Sequence, residues 1–480
     1  MRARIATHVF APENRKWWTL LAVSFGLFMI MLDNTVVNVA LPSIQRDLKV
    51  DDSQLEWVVS AYFLTFAALM LTGGKLADLF GRRLVFVSGL VVFTLSSVAC
   101  GLAASGDVLI AARAVQGVGA ALMNPATLSI ITATFPPRQR GMAMGIWVGV
   151  SAMALALGPI TGGLIAEYAH WSWIFFINVP IGALAIVVAR IAIDESKDTS
   201  VEQRLDLPGL VTSGGALLAL TYALIEANSK GWTSAEILGL FALAVVGMAA
   251  FVMLELRQRV PMLDLSLFRN ATFAGANATM LLVALAMFGV FFYVSLFVQN
   301  ILGYSPVQAG AAFLPMTLCI IFVAPVAGKL SDRIGSRWLM GAGMMLVGGS
   351  LLLFSLLDET SSFWNLFPAL LVGGAGMAMA MTPTTAAAMG SVAVDKAGVG
   401  SAVLNSMRQV GGNLGVAITG AILGWYVSVG RLDPRYPSQF VDGFQASLHV
   451  AAGIAFAAAL VAVITVRKYR HQETLAEAAA

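Results

Sequence analysis

The hydrophobic and polar positions of the chain form long apolar runs that alternate with short polar segments. A helix that crosses the hydrocarbon core of a bilayer needs ~20 mostly apolar residues. Fourteen runs approach or exceed this length, near residues 17–41, 55–73, 84–104, 107–132, 141–166, 172–193, 207–226, 235–255, 271–300, 306–327, 338–357, 363–388, 399–428 and 446–466. The pattern predicts an all-α integral membrane protein with fourteen transmembrane helices.

One polar segment occurs twice in the chain. GKLADLFGRR (residues 74–83) follows the second predicted span, and GKLSDRIGSR (residues 328–337) follows the tenth. Two equal six-helix halves would place the second copy after the eighth span, so two helices are inserted between the halves. We therefore expect a six-helix bundle over 1–200, two inserted linker helices over 201–262, and a second six-helix bundle with a short cytoplasmic tail over 263–480. Repeated halves of this kind hold the substrate site of many secondary transporters between them.

Composition and charge agree with a membrane protein. The chain is 58% hydrophobic and 11% charged, whereas soluble domains have roughly 25% charged residues. Of the 29 Lys and Arg residues, 23 fall on the side of the predicted membrane that holds both termini. Positive charge collects in the cytoplasm, so a multi-pass protein of the cell membrane with both termini cytoplasmic is predicted. The first apolar run is longer than a signal-peptide core and is expected to remain as a span.

Charges inside predicted spans each cost ~2.5–3.5 kcal/mol on insertion scales, and two of them stand out. Asp33 and Arg113 are at matching depth, ~10–12 Å under the outer surface, so an ion pair is expected. A buried carboxylate that holds either a proton or a cation can exchange one for the other; a static pair that only fixes helix packing is the alternative. A polar stripe beside the pair lines a cavity or hydrogen-bonds between helices, and its members are Asn34, Asn38, Gln116 and Asn124.

The repeated segment carries two kinds of information. Gly74 and Gly81 permit a tight reversal between the second and third spans, and Arg82 and Arg83 are topology signals. Topology alone does not require an acid, yet both copies contain one, Asp78 and Asp332. An acid here can cap a helix N-terminus or pair with a neighbouring arginine in one conformation only. We interpret these residues as a latch between two conformations.

The fifth span is rich in small residues, which permits either tight helix packing or a hinge. The candidate hinge residues are Gly158, Pro159, Gly162 and Gly163. In the thirteenth span, a polar face that can line the interior is formed by Asn405, Gln409 and Asn413. Arg408, in the same span, is expected to extend toward the cytoplasm. Soft apolar side chains that can adapt to a ligand are Phe292, Met377 and Met381.

These features together resemble the 14-helix drug:proton antiporters of the major facilitator superfamily, over nearly the whole chain. The matching motifs are LDNTVVNVALP (residues 32–42), the loop at 74–83, RAVQGVG (residues 113–119), the glycine-rich segment at 149–163, and the two inserted helices. The resemblance implies that Asp33 is the proton or cation site, Arg113 its coupling partner, Asp78 the latch and the fifth span the hinge.

The expected function is export of amphipathic drugs or toxic compounds in exchange for protons, by alternating access. The expected partners are a small molecule, protons and the lipid bilayer, with the proton gradient as driving force. No cofactor, metal or nucleic acid is expected, and a monomer is assumed. The alternatives are a proton-coupled nutrient importer on the same fold and a membrane-embedded enzyme or sensor. Against the last, the histidines His8, His170, His449 and His471 form no visible cluster with catalytic or metal-ligand spacing.

Overall fold

The computed structural model describes residues 12–50, 52–197, 206–258, 261, 263–429 and 433–467, and this part of the chain is almost entirely helical without a β-strand. The helices are α1 (Pro12–Leu48), α2 (Asp52–Phe80), α3 (Arg82–Gly101), α4 (Gly106–Thr134), α5 (Pro137–Tyr168), α6a (Trp173–Phe176), α6b (Asn178–Ala192), α7 (Leu207–Lys230), α8 (Ala235–Arg257), α9 (Ala271–Asn300), α10a (Pro306–Ala312), α10b (Leu314–Ile334), α11 (Ser336–Phe354), α12 (Phe363–Gly390), α13 (Ala397–Tyr426) and α14 (Tyr436–Thr465).

All fourteen predicted runs are helical when α6a–α6b and α10a–α10b are each taken as one segment. Within the described residues, 12 of them are long and apolar enough to cross a membrane. The other two are α5 and α13, which occupy matching positions in the two halves and are 32 and 30 residues long. The polar face of α13 reduces its hydropathy. Fourteen long helical segments are therefore confirmed, while fourteen membrane crossings remain a prediction.

Several helix boundaries differ from the prediction. The first helix continues to Leu48, and the last begins at Tyr436, ten residues before the predicted span. Counting apolar residues misses helical turns that extend beyond the hydrocarbon layer. The sixth and tenth segments are each broken near a proline, Pro180 and Pro315, because proline lacks the N–H that continues the helical hydrogen bonds.

The two halves repeat the same helix packing. In the first half α4 packs against α2 and α3, α1 against α5 and α6b, and α3 against α6b. In the second half α12 packs against α10b and α11, α9 against α13 and α14, and α11 against α14. The halves meet through α5 on α10b and through α13 on α2, two contacts that the repeat interchanges. The internal duplication inferred from the repeated loop is thus present in the three-dimensional packing.

The inserted helices form a hairpin beside one of these two seams. Helix α7 packs against α2 and α13, and α8 packs mainly against α7. Only 17% of the apolar span of α8 is buried in the protein. Its apolar side chains therefore face outward, as lipid-facing side chains do.

The halves approach closely at the end of the bundle that carries both copies of the repeated loop, here called the repeat end. A Cβ on Gly74 of α2 would lie 2.6 Å from the Gly398 carbonyl oxygen of α13, and one on Gly328 of α10b would lie 2.0 Å from the Gly141 carbonyl oxygen of α5. The expectation that Gly74 belongs to the reversal is wrong, since it lies inside α2. The reversal uses Gly81, whose φ of 117° favours glycine.

Gly328→Leu is expected to separate the halves at the repeat end, because a side chain has no room against the α5 backbone. Spin labels are placed at the exposed positions Arg138 and Arg333 on a Cys319→Ser background. Double electron–electron resonance should show a longer distance between the two labels. The matched control is Gly349→Leu, where a Cβ would meet nothing within 4 Å. An unchanged distance in Gly328→Leu would show that this contact does not hold the two halves together.

Candidate functional site

The two charges that were expected to pair inside the first half do so. Arg113 Nη1 on α4 donates to Asp33 Oδ2 on α1 at 2.5 Å. Asp33 is 0% exposed and Arg113 is 1% exposed. Breaking such a buried pair leaves an uncompensated charge, which is strongly destabilising. The pair therefore joins α1 to α4 in the middle of the first half.

Gln116, one turn along α4 from Arg113, completes a closed network around the carboxylate. Its Nε2 donates to Asp33 Oδ1 at 3.0 Å and to Ser97 Oγ at 2.8 Å, and its Oε1 accepts from Arg113 at 2.7 Å. Ser97 of α3 also accepts from Asn178 of α6b at 3.4 Å. Both Asp33 oxygens are thus occupied, and four helices of the first half share one set of hydrogen bonds.

The remaining face of Arg113 rests on α2. Its Nε donates to the Val58 carbonyl at 3.0 Å, and its guanidinium carbon lies 4.4 Å from the centre of the Tyr62 ring. That distance permits a cation–π interaction. Tyr62 is 0% exposed, and its hydroxyl has no hydrogen-bond partner within the described part of the chain. Ser97, Asn178 and Tyr62 were missed by the sequence analysis, because single polar or aromatic residues are common in apolar spans.

The predicted polar stripe is only partly present. Gln116 belongs to the network, and Asn34 is half-buried next to Asp33 on α1. Asn38 is helical, but its side chain lies outside the described residues. The prediction that Asn124 lies beside the pair is wrong, because it follows Gln116 by two further turns, ~12 Å along α4. It is buried, and its side-chain amide has no partner among the described residues.

The acid of the first repeated loop contacts the opposite half of the protein. Asp78 accepts hydrogen bonds from the backbone N–H groups of Gly398 and Val399, each at 2.8 Å, in the first turn of α13. Carboxylates are favourable at this position because the N-terminus of a helix carries a partial positive charge. Asp78 also forms an ion pair with Arg82 at 3.0 Å. Both contacts expected of a latch are therefore made together.

The second copy makes the equivalent contact in reverse. Asp332 accepts from the backbone N–H of Gly141 at 3.0 Å and of Met142 at 3.3 Å, near the beginning of α5. Each half thus binds backbone N–H groups of a helix of the other half through the aspartate of its own repeated loop, in the first turn of α13 and in the second turn of α5. This reciprocity is the structural reason for an acid in both copies.

The two arginines of the first loop have different surroundings. Arg82 is buried and donates to the backbone carbonyls of Val394 and Asp395, in the turn before α13. The prediction that Arg83 belongs to the latch is wrong. It contacts its own half, through a backbone N–H to Glu195 at 3.0 Å and a guanidinium contact to the Ile193 carbonyl.

A second ion pair attaches the linker after the inserted hairpin to the same turn. Lys396 Nζ lies 2.8 Å from Asp264 Oδ2. The hydrogen bond from Lys396 lowers the pKa of Asp264 to about 2, so this pair persists at every physiological pH. The α7–α8 hairpin is therefore connected to the region that Asp78 and Arg82 hold.

The predicted hinge shows no local opening. Helix α5 runs unbroken through residues 158–163. A Cβ on Gly158 would meet Thr35 of α1, and one on Gly163 would lie 2.4 Å from Val307 of α10a. Gly162 is buried, and the side chain of Pro159 lies outside the described residues. These contacts explain the glycines by close helix packing, and a hinge remains a prediction.

The polar face of α13 is satisfied mainly along its own helix. Asn405 donates to the Ser401 carbonyl at 3.0 Å, and Gln409 donates to Asn413 Oδ1 at 3.3 Å. Among the apolar candidates, Met377 and Met381 are each 5% exposed, in the main core cluster. The prediction that Phe292 lies in the interior is wrong. It is 49% exposed on the outer surface of α9.

The expectation for Arg408 is also wrong. Its side chain does not extend toward an aqueous end of the bundle but is 9% exposed, with its guanidinium carbon 5.3 Å from the centre of the Trp147 ring on α5. The helix runs eleven residues before it reaches Arg408. An arginine near the middle of a span is too far from the end of the helix for its side chain to extend into bulk water there.

Two duplicated six-helix halves, held together at one end by polar contacts and containing a buried ion pair, define a secondary transporter of the alternating-access class. The chain belongs to the Major Facilitator Superfamily, whose family model matches residues 23–416. It is similar to the multidrug resistance protein Stp of Mycobacterium tuberculosis, 38% identical over 91% of this chain and 80% of that protein. It is also 36% identical to the puromycin resistance protein pur8 of Streptomyces alboniger, over 95% of this chain and 92% of that protein.

Solved structures agree on the fold. The proton:xylose symporter XylE matches with a TM-score of 0.67 at 15% identity, over 95% of this chain and 97% of that one. The human organic anion transporter MFSD10 matches with the same TM-score and identity, over 93% and 99%. At this identity the likeness concerns the fold alone. The fold and the superfamily expected from the sequence are thus confirmed.

Replacing one member of the buried pair should destabilise the protein more than replacing both. Asp33→Asn or Arg113→Gln leaves the partner charge buried and unpaired, at a cost of ~3–5 kcal/mol, whereas the double variant removes both charges. Thermal unfolding of the purified protein should rank wild type above the double variant and the double variant above either single one. Asp433→Asn, in the exposed pair with Arg435, is the control and should be nearly neutral. Additive losses in the double variant would contradict the pairing.

Asp78→Asn should weaken the contact between the halves at the repeat end. The amide loses the ion pair with Arg82 and accepts at one oxygen only, which removes charge-assisted hydrogen bonds of ~2 kcal/mol. A shift of about thirtyfold in the conformational equilibrium follows. Spin labels at the exposed positions Leu84 and Val394 should show a new, longer distance. The surface variant Asp358→Asn is the control, and an unchanged distance in Asp78→Asn would remove Asp78 from the latch.

Proposed function

We propose that this protein exports amphipathic, toxic small molecules from the cell in exchange for protons. Two observations outside the site support export. The similar proteins named above are a multidrug resistance protein and a puromycin resistance protein, and a third relative, 35% identical over 90% of the chain, is the tetracenomycin C resistance and export protein of Streptomyces glaucescens. One of these names states export, and the other two state resistance, which export of a toxic compound would provide.

The single observation that carries proton coupling is the enclosed carboxylate of Asp33. As an anion it is held by Arg113 and Gln116 and shielded from water on α1. When Asp33 takes up a proton, its attraction for Arg113 is lost, and Arg113 must find another partner or move. Conversely, a movement of α1 relative to α4 that lengthens this contact favours protonation. Proton binding and helix rearrangement are in this way linked through one ion pair.

The latch suggests how the linked movement opens one side of the protein. We assign the repeat end to the cytoplasm, because the Lys and Arg residues collect there. With Asp78 on α13 and Asp332 on α5, the cytoplasmic side is closed in this conformation. Release of both aspartates would open it, so that substrate enters from the cytoplasm or the inner leaflet. Alternating access then requires only that the two halves rock about α5–α10b and α2–α13.

Proton exchange is tested in everted membrane vesicles that are acidified inside by respiration. Adding an exported compound such as puromycin or ethidium should release protons from the lumen, because each compound molecule taken up exchanges for protons. Asp33→Asn should still insert into the membrane, although it is less stable, and should eliminate this release at an equal amount of inserted protein, while Asp358→Asn, in an outer loop, should leave it unchanged. Normal release in Asp33→Asn would exclude Asp33 as the coupling group, and uptake without proton release would exclude antiport and favour a different mode of coupling.

A further inference from the structure

Arg408 is a buried positive charge that the mechanism above does not use. It projects from α13 of the second half onto Trp147 of α5, in the first half. Trp147 is 1% exposed and donates its ring N–H to Thr127 of α4 at 3.0 Å. The guanidinium lies ~16 Å along α13 from its first residue. It is therefore located between the two halves, where alternating-access transporters bind their substrates.

No group of the described chain neutralises this charge. Within the described residues Arg408 has no carboxylate at ion-pair distance, and its guanidinium donates no hydrogen bond, whereas Arg113 has an aspartate, a glutamine and a backbone carbonyl. An arginine stays protonated in proteins, and an unpaired buried charge is costly. The face of Trp147 compensates only part of this cost. The guanidinium nitrogens are nonetheless not sealed off, since none of them belongs to the fully enclosed polar atoms.

The neighbouring polar groups are engaged elsewhere. Asn405 is bonded to Ser401 and Gln409 to Asn413, both along α13. They leave the five N–H donors of Arg408 for a group that the protein does not supply. A guanidinium forms two parallel hydrogen bonds with a carboxylate. The Trp147 ring beside it is apolar but 1% exposed, so it becomes a surface for the rest of a molecule when the two halves separate.

We propose that Arg408 and Trp147 form a subsite for the acidic group of an amphipathic substrate. This inference deepens the proposed function, on which it rests, by naming a substrate class: planar, apolar compounds that carry a carboxylate. The carboxylate pairs with the guanidinium, and when the halves separate the apolar body lies along Trp147 between them. Asp33 and Arg113 do not contact this group.

The test measures binding of three matched fluorescent probes to the full-length protein in lipid nanodiscs. Dansylglycine carries a carboxylate, its methyl ester is neutral, and dansylcadaverine is a cation. Bound dansyl groups are detected by energy transfer from the protein's tryptophans. The wild type should bind dansylglycine about tenfold more tightly than the ester, because only the acid pairs with the guanidinium.

Arg408→Gln should eliminate this preference and leave the affinity for the ester within about twofold, and Arg408→Lys should retain part of it as a point charge without the planar fork. The matched control is Arg337→Gln, which removes an arginine 5.1 Å from the ring of the exposed Trp338; the preference should persist. Equal affinity of the wild type for acid and ester, or a preference that survives Arg408→Gln, would overturn the proposal.

The two proposals fail separately in these experiments. The wild-type comparison of acid and ester needs no variant, so it decides even where Arg408→Gln does not fold. Binding requires no gradient, so a lack of proton release in vesicles contradicts the antiport and not this subsite. Conversely, proton-coupled efflux of cations with no binding of dansylglycine contradicts the subsite alone.

Discussion

A charge inside a bundle of membrane helices is costly unless another group neutralises it, because hydrocarbon offers no hydrogen bonds. This constraint explains why Asp33, Arg113 and Gln116 form a closed set with both carboxylate oxygens occupied. It also explains why Asp78 and Asp332 each accept backbone N–H groups within the first two turns of a helix of the other half. In each case the neutralising partner lies on a different helix, so every such contact depends on the relative position of two elements.

That dependence makes the contacts suitable for transport. The ion pair lies within the first half and joins α1 to α4, whereas the two aspartates of the repeated loops join one half to the other. A proton changes the first contact directly by removing a charge. The second type of contact decides whether the repeat end is closed. The helix pairs that carry these contacts, α2–α13 and α5–α10b, are related by the internal repeat. The repeat end is therefore closed by a similar contact at each of the two interfaces between the halves.

The sequence predicted most of the fold, because long apolar runs and a repeated loop are strong signals. The pairing of Asp33 with Arg113 followed from their equal depth, and the helix caps by Asp78 and Asp332 followed from acids that topology did not require. What failed depended on the direction of side chains. Phe292 faces outward and Arg408 is buried against α5. The apolar pattern of α9 does not show which face looks inward, and the sequence of α13 does not show which neighbouring helix covers Arg408. The prediction that Gly74 forms the reversal failed for a similar reason. A glycine inside a helix and a glycine in a turn look alike in the sequence until the neighbouring helix is known.

The central claim is that Asp33 changes its protonation state during the transport cycle. Infrared difference spectroscopy on protein with ¹³C-labelled aspartate tests this directly, with Asp33→Asn to assign the band. The account predicts that the closed, ion-paired form lacks the carbonyl band of a protonated Asp33, and that the band appears when low pH or a spin-label-verified opening separates α1 from α4. A carboxylate signal from Asp33 that stays the same in both conformations and at every pH would contradict it.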